Sequence, residues 1–195
     1  MSEPTSRPRG RPRRAATDAA IVRAAVELMT EVGVDGTTLA AVARRAGVAR
    51  ATVYLRWPTR SALIGAAARA AVGGTPLPLS GDLEADIRFA GDFIRRVFEV
   101  PSFTAILPEL IRGVLAGELS FDSVVPRRKP LAEIYRERAA AQGFDARLDP
   151  NLAFDLLLGT ALVRMLATRH AMTADAAAEL AEVVIRGLRS GPPAG

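Results

Sequence analysis

The sequence predicts an all-α protein, on three observations. Apolar residues recur at helical spacing through most of the chain, and no stretch sustains the alternation of a half-buried strand. Alanine, leucine and arginine abound while aromatic residues make up only 5%, a balance that favours helix. Proline and glycine cluster between the periodic stretches, where they end one helix and open the next. With 195 residues, 49% of them apolar, the chain is long enough to bury a core.

Residues 1–14 are rich in proline, glycine and arginine and hold no apolar run, so a disordered basic arm is expected. Arg9-Gly10-Arg11-Pro12 resembles the core of an AT-hook. Arg9, Arg11 and Arg13 are therefore candidates for a narrow A·T-rich minor groove, where negative potential concentrates. A solubilising tail drawn to phosphates is the alternative. A first helix is expected from Thr17, its cap, to Val32, with Ile21, Ala25, Leu28, Met29 and Val32 as its apolar stripe and Gly33 as its stop.

Two short helical patterns then meet at a glycine. Thr37 or Thr38 is placed to cap the first, and Leu39, Val42, Ala43 and Ala46 form one apolar face. Gly47 suits a turn at positive φ. The second runs from Ala49 to Trp57, with Val53 and Trp57 facing the core and Arg50, Ala51, Thr52, Tyr54 and Arg56 on other faces. Helix, glycine turn, helix is the layout of a helix-turn-helix, whose second helix enters the major groove. Arg50, near that helix's N-terminus, is the candidate for base readout, because arginine to guanine O6 and N7 is the commonest specific contact. Ala51 is small enough to approach a thymine methyl. A fourth helix follows Pro58, capped by Thr59, with Leu63, Ala67 and Ala71 on its apolar face.

Residues 73–81 hold Gly73, Gly74, Pro76, Pro78 and Gly81 and mark the domain boundary. Beyond it, Leu83, Ile87, Ala90, Ile94, Val97 and Phe98 form one stripe of a helix ended by Pro101, and Phe89 and Phe93 form a second. Ser102 is placed to cap a helix to Leu115 with a kink near Pro108. Prolines 126 and 130 argue against helix over 118–130, and a helix is expected from Leu131 to Gln142. Asp149 and Pro150 open a strongly apolar helix to His170. Thr173 caps the last, whose face carries Leu180, Val184, Gly187 and Leu188.

The aromatic and sulfur side chains Phe89, Phe93, Phe98, Phe103, Phe154 and Met165 either line a ligand pocket or simply fill the core. Asp155 and Arg164 are pocket polar groups or an ion pair. Residues 1–60 carry 11 arginines against 5 acidic residues, a balance of +6, and the remainder 15 basic against 16 acidic. A basic first third joined to a neutral remainder points to a polyanion at the N-terminal part alone. One histidine, no cysteine, no phosphate-binding loop and no carboxylate pair at metal-ligand spacing argue against an enzyme, a metal site or a cofactor. No apolar run is long enough to span a membrane. The first residues lack the apolar segment of a signal peptide, so a cytoplasmic protein is expected.

The stretch Thr37–Leu63 also resembles the DNA-binding domain of the tetracycline-repressor (TetR) family. Thr38, Val42, Ala43, Ala46, Gly47, Val48, Thr52, Val53, Tyr54, Arg56, Trp57, Thr59 and Leu63 match the family pattern. The family's serine at the start of the recognition helix is Ala49 here, and its lysine at the start of the fourth helix is Arg60. The resemblance implies a helix-turn-helix domain over residues 15–72, with the motif at 38–57, a linker at 73–81 and a larger helical ligand-binding and dimerisation domain over 82–190. It further implies Thr38, Thr52, Tyr54 and Arg60 as phosphate contacts, with Arg56 and Arg44 as additional backbone contacts. The implied partners are operator DNA, a small-molecule effector and a second copy joined through the last two helices. Those helices could instead close the monomer's own core. The reading is of a ligand-responsive homodimeric repressor, with a sequence-tolerant architectural DNA binder as the alternative.

Overall fold

The structure, a computed structural model, describes residues 11–71, 79–126 and 128–189, without the side chains of residues 11–13 and 123. Its helices are α1 (Arg11–Gly36), α2 (Leu39–Arg45), α3 (Arg50–Arg56), α4 (Arg60–Ala71), α5 (Leu83–Glu99), α6 (Pro101–Leu115), α7 (Phe121–Val124), α8 (Arg128–Arg138), α9 (Leu152–Thr168) and α10 (Ala174–Leu188). Among the described residues no strand forms, and no helix is long and apolar enough to cross a membrane. The chain divides into two compact units. One joins Met1–Ala71 to Ala105–Leu119, the other Val72–Thr104 to Ser120–Gly195.

In the first unit α1 packs on α2 and α4, and α2 on α3. Ile21, Ala25, Leu28 and Met29 are buried as expected, but the stripe ends a turn early. Val32 is 56% exposed and stands beside Gly33, whose φ of 74° interrupts the helix. The helix also begins ahead of Thr17, at Arg11, which corrects the expected arm over residues 11–14. Pro12 lies in the first turn, where a missing N–H costs no hydrogen bond. Arg9, with the rest of residues 1–10, lies outside the described residues, as do the side chains of Arg11 and Arg13.

A single cut at 73–81 does not partition the chain, because residues 105–119 cluster with the first unit rather than with 82–190. Close contact explains it. Leu119 is buried against Gly65 and Gly113, and a Cβ on Gly113 would stand 2.9 Å from its side chain. Ser61 of α4 donates a hydrogen bond to Glu118. Such approaches need a residue without a side chain on the α6 surface.

In the second unit α5 packs on α8, α9 and α10. Leu83, Ile87, Ala90, Ile94 and Phe98 are buried along one face, as their spacing predicts. Asp82 caps α5, accepting from the Ala85 N–H at 3.1 Å. Asp86 is 1% exposed, and its carboxylate accepts from the Ser80 N–H (2.7 Å), the Ser80 hydroxyl (2.9 Å) and the Gly81 N–H (2.9 Å). Gln142 closes the same knot, accepting from the Leu83 N–H at 2.8 Å and donating to the Gly81 carbonyl at 2.7 Å. Residues 80–81 of the expected linker are thus fastened in place, whereas 72–78 lie outside the described residues.

Three further helix starts differ from expectation, and the short α7 forms within 118–130, where the prolines argued against helix. α6 opens on Pro101 itself, not on a Ser102 cap, since proline is preorganised for the first helical position. α8 opens at Arg128, so Pro130 sits in its first turn, where no intrahelical bond is lost. α9 opens at Leu152 after a turn in which Asp149 accepts from the Asn151 N–H at 2.9 Å. Thr173 caps α10 as predicted, accepting from the Ala176 N–H at 3.2 Å.

Replacing Asp86 with Ala leaves two backbone N–H groups and a hydroxyl without their acceptor in a buried site. Loss of about 2–4 kcal/mol of stability is expected, read as a lower urea midpoint with unchanged slope.

Candidate nucleic-acid interface

The helix-turn-helix is built from local bonds. Thr38 caps α2, its hydroxyl oxygen accepting from the Ala41 N–H at 3.1 Å, while the Thr37 hydroxyl donates to the Gly33 carbonyl at 2.8 Å. At the other end Gly47 adopts φ +67°. The Val48 N–H reaches the Ala43 carbonyl at 3.0 Å and the Gly47 N–H the Arg44 carbonyl at 3.3 Å. This is a Schellman closure, which satisfies the last carbonyls of a helix through one left-handed residue. α3 then starts after Ala49, which supplies no side-chain cap. Val53 is fully buried. Trp57, expected in the core with it, is only half-buried, because it follows the last turn of α3 in a non-helical conformation.

The opposite side of α3 is open. Arg50, Ala51, Tyr54 and Leu55 are exposed and Thr52 is half-buried. Tyr54 is 49% and Leu55 82% exposed. Leu55 escaped the sequence reading, although its place two residues beyond Val53 already put it off the core face. Arg44 is exposed on α2. Neighbouring Arg45 is committed internally, with bonds of 2.9 and 2.6 Å to the Glu31 carboxylate of α1.

Two expected phosphate contacts are also committed internally. Arg56 pairs with Asp18 of α1 and donates to the Thr52 carbonyl at 3.3 Å. Arg60 donates to the carbonyls of Thr37 (3.2 Å) and Val34, and pairs with the buried Glu109 at 3.5 Å. A guanidinium with five donors is suited to tying a loop and a carboxylate together. Both arginines bind neighbouring elements of the same unit.

The second unit encloses a small apolar cavity of about 60 Å³. Phe93, Phe98, Phe103 and Phe154 are among its lining residues, and the rings of Phe98 and Phe103 meet edge to face at 5.8 Å. Val124, Val125 and Pro126, unforeseen from the sequence, complete the wall. Phe89 and Met165 do not line it. Phe89 lies under the Arg96 guanidinium, and Met165 borders a separate open recess with Thr104 and Arg169. Asp155 is not a free polar group of the cavity, because Arg128 binds it through two hydrogen bonds of 2.6 Å. Arg164 and His170 are exposed. Among the described residues no group of three or more His, Cys, Asp or Glu could hold a metal.

α9 and α10 carry exposed apolar side chains: Leu156, Val163, Leu166 and Val183, with Val163 at 64%. Gly159 and Gly187, on the same helices, face open space.

Residues 21–67 match the family described as bacterial regulatory proteins, tetR family. YdeS of Bacillus subtilis strain 168, an uncharacterised HTH-type transcriptional regulator, is 30% identical over 166 residues, covering 82% of this chain and 83% of that protein. Rv2250c of Mycobacterium tuberculosis H37Rv, another uncharacterised HTH-type regulator, is 42% identical over 71 residues, 35% of this chain and 38% of its own length. Among solved structures, TylP, a TetR regulator from Streptomyces fradiae, aligns with TM-score 0.64 at 19% identity, covering 91% of this chain and 89% of its own. The flavonoid-responsive regulator FrrA aligns with TM-score 0.60 at 23% identity (89% and 95%). The multidrug binding protein EbrR aligns with TM-score 0.59 at 22% identity (96% and 100%). These structural likenesses carry the fold, and the YdeS alignment extends the relationship well past the helix-turn-helix. The chain belongs to the tetR family of bacterial regulatory proteins and is a DNA-binding transcriptional regulator.

Proposed function

We propose that the chain is a homodimeric repressor that leaves a palindromic operator when a small molecule binds its second unit. The observation that carries the reading is the open face of α3, where Arg50, Ala51 and Tyr54 stand exposed while Val53 anchors the helix from behind. Phosphate contacts position such a head and base contacts give it specificity. Arg50 reads a base, and Thr38, Arg44, Thr52 and Tyr54 address the backbone. Arg9, which precedes α1 in the sequence, extends the contact into the minor groove.

One head reads only a few base pairs, so two-fold pairing is required for a long site. The apolar stripe on α9 and α10 supports a four-helix contact between two copies. The effector reading rests on the aromatic cavity. FrrA is named for its response to flavonoids and EbrR as a multidrug binding protein, and an apolar small molecule suits walls of phenylalanine and valine. At about 60 Å³ the cavity is far below the ~300–1,000 Å³ of an occupied site. Binding must therefore part its walls. A ligand that binds the parted state better shifts the protein towards it.

Selection from a randomised duplex pool tests the reading. One enriched palindrome is the expected result, and Arg50→Ala should lose about 1–3 kcal/mol of discrimination at a single base pair of each half-site. Deleting residues 1–10 should weaken binding most on A·T-rich flanks. Affinity that ignores sequence and falls steeply with salt would favour an architectural binder instead. Light scattering at micromolar concentration should return a dimer, and Val163→Arg a monomer, since two copies cannot bury that charge against each other. Phe154→Trp fills the cavity and should stay on the operator in the presence of compounds that release the natural protein.

A further inference from the structure

Leu55 is not part of the core. At 82% exposed it is among the most open large apolar side chains of the molecule, and it stands on the helix that faces the duplex. Nothing in the fold gains from it. It lies four residues beyond Ala51, and side chains at that spacing are neighbours about 5–6 Å apart on a helix surface. Ala51 and Leu55 therefore form an apolar strip on the side of α3 opposite the buried Val53. The occupant of such a strip is set by its surroundings. The first 60 residues carry a balance of +6, and Arg44 and Arg50 are exposed nearby, so the partner is a polyanion with an apolar feature. In the major groove that feature is the C5-methyl of thymine.

We infer that Leu55 is a specificity-determining residue whose side chain covers a thymine methyl in each half-site. It rests on the reading that α3 enters the groove.

Deoxyuridine tests this directly, because it pairs as thymidine does and lacks only the methyl. The full-length protein is used to select a duplex from a randomised pool, and each thymine of that duplex is then replaced in turn. The natural protein should bind about fourfold more weakly at one thymine per half-site, the effect of withdrawing one methyl-sized apolar contact. Leu55→Ala should bind the unmodified duplex more weakly and make no distinction between thymine and uracil at that position. Leu55→Met, which keeps an apolar reach, should retain the distinction. An unchanged thymine preference in Leu55→Ala overturns the assignment, and so does indifference of the natural protein to every replacement. Leu55→Ala should melt with the natural protein; a lowered melting temperature would place the side chain in the fold and refute the inference. Failure to enrich any duplex would remove the reading of α3 itself, a result distinct from an enriched duplex that is blind to the methyl.

Discussion

The reading head depends on one backbone constraint, the left-handed conformation of Gly47. At φ +67° the chain reverses just after α2, and the bond from the Val48 N–H to the Ala43 carbonyl locks the reversal. Because α3 has only seven residues and no side-chain cap, little within it could fix its own direction. Its orientation comes from that corner and from Val53, which is fully buried. Any residue with a Cβ at position 47 would strain the corner, and the exposed face of α3 would turn with it.

Arginine does two different jobs in this unit, and the difference lies in what surrounds each guanidinium. Arg45, Arg56 and Arg60 each have an acidic group or several carbonyls of the same unit within reach, namely Glu31, Asp18, and the carbonyls of Val34 and Thr37 with Glu109. They tie α2, α3 and α4 to α1, to the turn that follows it and to the middle of α6. Arg44 and Arg50 stand exposed. Arg60, which the family pattern offers as a contact, is bonded within its own unit.

The second unit is organised by α5, whose apolar stripe meets α8, α9 and α10 and whose N-terminus is held by Asp86 and Gln142. Phe98 and Phe103, on either side of the Pro101 start of α6, supply the edge-to-face pair at the cavity. That junction places an aromatic wall where one helix ends and the next begins. The outward apolar residues of α9 and α10 are surplus to this packing.

Much was legible because it rests on local rules. The caps at Thr38 and Thr173, the glycine turn at 47 and the stripe of α5 follow from residues within a few positions of one another. Phe93, Phe98, Phe103 and Phe154 meet at the cavity while Phe89 and Met165 do not, a choice that helical period left open. Tertiary contact alone decided the rest. Arg56 and Arg60 were drawn inward by Asp18 and Glu109, partners far away in sequence, and residues 105–119 joined the first unit because glycines 65 and 113 admit Leu119. Helical periodicity says which side of a rod is apolar. Which distant charge or cleft that rod will meet is a property of the folded chain, because it depends on partners brought together only when the whole of it packs.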